Sequence, residues 1–326
     1  MLRKLMLAAG LCVAAFSMQA QAQTRTVRVA YLKSLSFSPL FAAIERRYFA
    51  DEGIEVDLQI VQSSSEVVAF LARGQMDVAF GNLGVPFLNG VRNGFDVRLI
   101  AGVSYASADA NDASPNPIVI AKASEGVLKS ALDLKGKKVA VNTRGGIIEY
   151  QFARALRGVG LGIGDVELVT MGFPDMTAGL TNNAVAAAIV PEPAATAGME
   201  RGLTAELVRN PAPGAMLTVA MIGKNFLEGQ GVDTADRFMR ALRKASAGLQ
   251  SRGEVMSPDN LAVWTKYTGI PAPLIAKTRP YTFEKDLAID RADLKRQQDY
   301  LVETKQVPAA IDIDKLIDAR HAKMVN

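Results

Sequence analysis

Two short stretches of this chain carry polar groups in a pattern suited to holding a small anion. In Thr143-Arg144-Gly145-Gly146 a hydroxyl and a guanidinium precede two glycines. Glycines let backbone N–H groups come close to a ligand, and an arginine forks onto a carboxylate or sulfonate. In Ser36-Phe37-Ser38 two small hydroxyls flank an aromatic ring ahead of Pro39. Glu192 stands between Pro191 and Pro193, whose rings stiffen its backbone, and a carboxylate so fixed suits a ligand amine or hydroxyl. Side chains that usually carry catalysis are scarce. The chain has one histidine, His321, near its C-terminus where fraying is expected, and one cysteine, Cys12. Ser-His-Asp triads, Cys-His pairs and histidine-rich metal sites cannot be assembled from these. Gly158, Gly160, Gly162 and Gly164 miss the dinucleotide fingerprint, which needs glycine where Ile163 or Asp165 stands, and Gly136-Lys137 is followed by Lys138 where a phosphate loop needs Ser or Thr. No cofactor and no metal are expected. The remaining enzymatic alternative is chemistry by carboxylates such as Asp175 and Glu192.

The elements that must position these groups are legible in the chain's periodicity. Val27 to Leu32 reads as a strand, and Ser38-Pro39 opens a helix with a hydroxyl cap that runs to about Asp51. Ile54, Val56, Leu58 and Ile60 alternate as a second strand. Ser63-x-x-Glu66 is a capping box, and Gly74 supplies the helix stop. Strands at 76–80 and 97–103 enclose a helix from Leu83 to Arg92, so 27–103 is a βαβαβαβ run. Residues 104–116 form a loop, and 117–121 is extended chain. The alternation then recurs, with strands at 137–141, 166–171 and 185–190 and helices at 146–158 and 174–182. Such alternation implies parallel sheets with helices on both faces, here as two α/β lobes. Met216 to Ile222 reads as a return crossing. Helical patterns at 233–253, 258–267 and 290–304 then cover the outer face of the first lobe, with no third sheet. Trp264 and Tyr267 share a helical face with Leu261 and read as core, and Lys295 and Arg296 as a solvated face.

Composition agrees with a folded, two-lobed chain. Of 326 residues 49% are hydrophobic and 21% charged, enough apolar matter for a sizeable core. A net charge of +4 and an aromatic share of 6% argue against a nucleic-acid partner. Arg3 and Lys4, an apolar run from Leu5 to Phe16 and Ala20-Gln21-Ala22 form a signal-peptide pattern over 1–22. No segment approaches the roughly 20 apolar residues of a membrane span. The expected division is a leader at 1–22, lobe I at 23–117, lobe II at 118–218, and a return to lobe I at 219–326.

Several stretches resemble one family. These are Val27-Arg-Val-Ala-Tyr31, Ser38-Pro-Leu-Phe41, Arg47-Tyr-Phe-Ala-Asp-Glu-Gly-Ile-Glu-Val56, Ala72-Arg-Gly-Gln-Met-Asp-Val-Ala-Phe80, Asp133-Leu-Lys-Gly-Lys-Lys-Val-Ala-Val141 and Pro191-Glu-Pro193. They resemble the periplasmic substrate-binding proteins of ABC importers, in the branch of sulfonates, taurine, nitrate and thiamine-precursor pyrimidines. The resemblance implies a type II periplasmic-binding-protein fold with a two-strand hinge, a monomer that captures a small molecule between its lobes, and delivery to a permease with a cytoplasmic ATPase. A ligand sensor for a membrane receptor is the alternative. Where the family commonly has a small pair such as Gly-Ser, this chain has Asn142-Thr-Arg-Gly-Gly146.

Ligands of open α/β sheets sit beyond the carboxyl ends of the strands. The candidate contacts are therefore Ser36, Phe37, Ser38, Ser63, Ser64, Asn82 and Leu83 from lobe I, with Thr143, Arg144, Gly145, Gly146, Phe173 and Glu192 from lobe II. Arg144 is the expected anion clamp, and Phe37, Phe87 and Phe173 the cover for an apolar body. A small organic anion, sulfonate or carboxylate, is the expected ligand.

Overall fold

The computed structural model describes residues 24–61 and 64–325. The expected leader, with Cys12, and Ser63 of the expected capping box lie outside these residues.

The first sheet is built from β1 (Arg25–Tyr31), β2 (Ile54–Ile60), β3 (Val78–Gly81), β4 (Arg98–Tyr105) and the later β10 (Met216–Ile222), in the order β2-β1-β3-β10-β4. Between its strands lie α1 (Ser38–Glu45), α2 (Tyr48–Asp51), α3 (Ser64–Ala72) and α4 (Val85–Arg92). The second sheet holds β5 (Ile118–Ala121), β6 (Lys138–Val141), β7 (Glu167–Thr170), β8 (Ala187–Ile189) and β9 (Thr204–Val208), in the order β7-β6-β8-β5-β9, with α5 (Ile147–Arg157), α6 (Phe173–Thr181) and α7 (Ala194–Glu200) between them. After β10 come α8 (Lys224–Leu227), α9 (Gln230–Ser246), α10 (Arg252–Val255), α11 (Pro258–Thr268), α12 (Ala272–Ile275), β11 (Ile289–Asp290), α13 (Arg291–Glu303), α14 (Ile313–Leu316) and β12 (Met324–Val325).

Within each sheet the strands that feed helices run parallel: β1 with β2 and β3, β6 with β7 and β8. One strand in each runs against them. β10 is antiparallel to β3 and β4, and β5 to β8 and β9. β10, Met-Leu-Thr-Val-Ala-Met-Ile, is buried along its whole length. An apolar run without alternation belongs to an interior strand, and its place between β3 and β4 meets that requirement.

The crossings between sheets differ from the sequence reading. The crossings expected near 116–122 and 214–222 lie largely within the sheets, as β5 and β10, so the linking chain is 106–117 and 209–215. The two links bond to each other: Ala106 N–H donates to Ala215 O (2.9 Å), Ser114 N–H to Arg209 O (3.1 Å), and Asn210 Nδ2 to the carbonyls of Ser107 and Asp109 (2.9 Å each).

Other expectations are corrected by local chemistry. The helix expected over 38–51 breaks because Arg47 takes a left-handed conformation, φ 60°. Ser38 is the first residue of α1 and does not cap it; its hydroxyl donates to Leu35 O at 2.7 Å. A small parallel ladder, β11 with β12, exists where no third sheet was expected. The terminal helices do not all lie on the outer face of lobe I: α9 packs on α1 and α2, but α13 also meets α5 of the second lobe. His321 is not frayed. It is buried, with Nδ1 3.1 Å from Asp318 Oδ2 and Nε2 3.1 Å from Val232 O. Trp264 and Tyr267 belong to the core region, the indole donating to Val255 O (2.8 Å) and Tyr267 stacked on Phe41 at 4.7 Å.

The α5–α13 contact turns on Asp293, whose carboxylate is fully buried. Its Oδ2 accepts from Met216 N–H and Gln297 Nε2 (2.8 Å each), its Oδ1 from Tyr150 of α5 (3.0 Å), and Arg296 Nη2 lies 3.2 Å away. One carboxylate thus ties the start of β10 to a helix of each lobe. Asp293→Ala leaves the Met216 N–H, the Gln297 amide and the Tyr150 hydroxyl buried without their acceptor, and is expected to cost about 2 kcal/mol or more in urea unfolding. A second test uses pH. Burial alone would lower the pKa of His321, but its hydrogen bond to Asp318 and that carboxylate's charge outweigh burial and raise it. Burial would raise Asp318, and bonds from His321 and Arg320 hold it well below the usual range. The histidine therefore stabilises fully below its unfolded pKa of about 6.5 and loses that contribution as pH rises through its folded value, while the aspartate contributes above about 3.9. His321→Gln is expected to lower stability more at about pH 6 than at about pH 9 in parallel denaturant titrations.

Candidate ligand-binding cleft

Because the helix-feeding strands are parallel, the turns leading into α1, α4, α5, α6 and α7 all emerge at the carboxyl edges of the two sheets. These edges face one another. Val85 N–H, which starts α4 in lobe I, donates to Gly145 O, which precedes α5 in lobe II, at 3.3 Å. A Cβ added to Gly84 would stand 3.0 Å from that carbonyl. The lobes are thus closed onto each other along this lip.

In lobe I, Ser36 is buried with its Oγ 2.9 Å from that of Ser34, which also accepts the Ser36 N–H (3.2 Å). Ser38 is buried and donates its hydroxyl to its own turn at Leu35 O, 2.7 Å. Phe37 is 2% exposed and edge-on to Phe80 at 5.7 Å, and Phe87 is 1% exposed; both rings pack within the core. Ser64 begins α3. Asn82 is half-buried and its Nδ2 donates to Leu217 O at 2.6 Å, while Leu83 is buried.

In lobe II, Thr143 and Arg144 are exposed at the mouth. Arg144 places Nε 3.3 Å from Oε2 of Glu149, so its charge is shared with a resident carboxylate. Glu149 is buried and also accepts the Gly145 N–H (3.0 Å) and the Tyr300 hydroxyl (2.6 Å). Gly145 has φ 67° and Gly146 caps α5. Phe173 opens α6, half-buried against the apolar residues of both cores. Asp175 is an exposed first-turn charge of that helix.

Glu192 departs from the expected role. It is buried, and its Oε1 accepts from Thr196 Oγ1 (2.8 Å) and Arg279 Nη1 (3.0 Å) while Oε2 accepts the Thr196 N–H (3.1 Å). Arg279 also reaches Glu206 at 2.7 Å. A carboxylate so engaged accepts from the first turn of α7 and pairs a cation.

Sequence reasoning missed Arg279 and Tyr281, which follow α12 and carry no local motif. Burial pushes the Tyr281 phenol well up, and the nearby charge of Glu192 adds to this while a bond with Ser34 opposes it. Tyr281 is therefore a buried, neutral hydroxyl. Also missed was a buried amide pair beside the Glu192 turn, whose N–H donates to Pro115 O (2.9 Å). Asn116 Nδ2 donates to Gln151 Oε1 at 3.0 Å, leaving Asn116 Oδ1 and Gln151 Nε2 buried without a partner among the described residues. Whichever way the amide planes are turned, one donor and one acceptor remain. Among the described residues no group of three or more His, Cys, Asp or Glu could hold a metal ion. The arrangement offers hydroxyls, helix N-termini and unspent amides, the equipment of recognition.

Residues 34–251 match the family described as NMT1/THI5 like. The chain belongs to the NMT1/THI5-like family. A curated protein of Escherichia coli (strain K12) named for binding aliphatic sulfonates is 24% identical over 322 residues, 96% of this chain and 95% of that protein. The crystal structure of the periplasmic aliphatic sulphonate binding protein SsuA from Escherichia coli superposes with a TM-score of 0.72 at 20% identity, covering 90% of this chain and 97% of SsuA. That of the desulfurization enzyme DSZB gives 0.62 at 17% identity, over 90% and 96% of the two chains. This NMT1/THI5-like chain therefore has the two-lobed fold of the periplasmic binding proteins.

The lip supplies a test of closure. A Cβ at Gly145 would clash with Val85 Cγ2 and stand 2.5 Å from Gln306 Oε1, and the positive φ adds strain. Gly145→Ala is expected to hold the lobes apart, with a larger radius of gyration in solution scattering; an unchanged profile shows that the lip does not set closure.

Proposed function

We propose that this NMT1/THI5-like protein is the periplasmic solute-binding component of an ABC import system, capturing a small organic anion, a sulfonate or carboxylate, between its lobes and presenting it to a permease. The observation that carries this reading is the meeting of the two carboxyl edges through the Val85–Gly145 contact, with the chain crossing twice between the sheets. A ligand held there touches both lobes only when they close, so binding and closure are one event.

The polarity of the cleft supports an anion. The N-termini of α4 and α5 meet there, and a helix N-terminus is equivalent to about half a positive charge, although Glu149 already takes up part of that of α5. The relative named for aliphatic sulfonates, aligned over nearly the whole chain, agrees. Phe173 offers an apolar face, and the Asn116–Gln151 pair offers a further donor and acceptor. Turnover is not supported: Glu192, the carboxylate best placed for acid–base work, is committed to Thr196 and Arg279.

The test is a thermal-shift screen of aliphatic and aromatic sulfonates, carboxylates, nitrate and pyrimidines, followed by calorimetry. A ligand present at about a hundred times its Kd adds about 2.7 kcal/mol to stability. Stabilisation by sulfonates or carboxylates is expected; hits confined to neutral or cationic compounds overturn the anion assignment, and chemical conversion of a hit seen by mass spectrometry overturns the non-catalytic one. Arg144→Ala is expected to weaken an anionic hit about tenfold, near 1.5 kcal/mol for a hydrogen bond to a charged group. Unchanged affinity removes Arg144 from the site.

A further inference from the structure

A second recess lies away from the lip, where the link between the sheets and α7 meet the segment that follows β10. It has a volume of about 300 Å³, and four of its lining residues are cations: Arg209, Arg252, Lys277 and Arg279. Glu200 is the carboxylate in its wall, and it is taken by Lys277 at 2.7 Å. Arg279 is paired with Glu192 and Glu206. Arg209 and Arg252 are exposed and have no carboxylate within 4.0 Å among the described residues. Arg252 is nonetheless held in place, donating to Thr278 O at 3.2 Å and Ala276 O at 3.3 Å.

Two guanidiniums turned to one recess without counter-charge repel each other, and an anion between them removes that repulsion and adds charge-assisted hydrogen bonds. The recess has more room than a single tetrahedral oxyanion needs, and its four cations stand beside an apolar wall of Ala113, Met199 and Pro280. From this we infer that the recess is a second binding site, for a multiply charged oxyanion such as phosphate, sulfate or a di- or tricarboxylate. Its walls come from both lobes. Arg209 follows β9 of the second sheet, whereas Arg252 and Lys277 belong to the chain after β10. An anion bound there bridges the lobes and favours their closed arrangement. By linkage it raises the affinity of the cleft for its own ligand, and the cleft ligand raises the affinity of the recess by the same factor.

The experiment is calorimetric titration of the full chain with phosphate, sulfate and citrate at constant ionic strength, with chloride as the control. It is run on the wild type and on Arg209→Ala/Arg252→Ala, whose melting temperature without added anion reports that it folds. Saturable binding of at least one oxyanion that weakens tenfold or more in the double variant is the expected result. Absence of saturable binding, a response that chloride reproduces, or affinity unchanged in the double variant overturns the proposal. Should the double variant fail to fold, crystals of the wild type soaked in selenate decide. Anomalous signal between Arg209 and Arg252 supports the site, and signal confined to the cleft or absent overturns it.

Discussion

The rest of the structure depends on one constraint of direction. In both sheets the strands that feed helices run the same way, so each strand-to-helix turn arrives at the same edge and brings the positive end of a helix with it. Crowding several such ends into one cleft would be unfavourable without compensation, and resident carboxylates supply it. Glu149 accepts the N–H of Gly145 ahead of α5, and Glu192 accepts that of Thr196 in the first turn of α7. Each is buried and each draws a cation in turn, Arg144 to the first and Arg279 to the second. The cations of the cleft are thus organised by the carboxylates, and the carboxylates by the helix ends.

That hierarchy explains what the sequence could and could not show. The period-2 and period-3.6 patterns reported β1, β2, most helices between strands and the largely apolar β10, because each buries a face that periodicity records, whereas α7 went unread. β9 went unread since it is an edge strand with only part of its length buried, and the break at Arg47 left no mark because a left-handed arginine has no signature of its own. Two turns of the cleft were legible from Gly145-Gly146 and Ser36. The partners of Glu192 and Glu149 were not. Arg279 lies 87 residues from Glu192, and Tyr300 lies 151 from Glu149. Such pairs are made by the fold, and without them Arg144 and Glu192 read as free groups.

The two flanks of the cleft are joined differently. On one side α13 lies against α5 through Asp293, Tyr150, Tyr300 and Glu149, all largely buried. On the other, the Arg279–Glu192 pair is buried too, but the outer pair Lys277–Glu200 stands in solvent. Exposed pairs contribute little and are screened by salt, whereas buried ones hold their geometry. Of the two flanks, salt is therefore expected to loosen only the outer Lys277–Glu200 pair.

The Val85–Gly145 contact has a kinetic consequence. With the lip shut, solute reaches the interior only during excursions to an open form, so the observed association rate is the encounter rate scaled by the fraction of molecules open. The same fraction discounts the apparent affinity. The strength of the lip thus tunes how long a captured molecule resides and how readily a new one enters, and it moves these two properties in opposite directions.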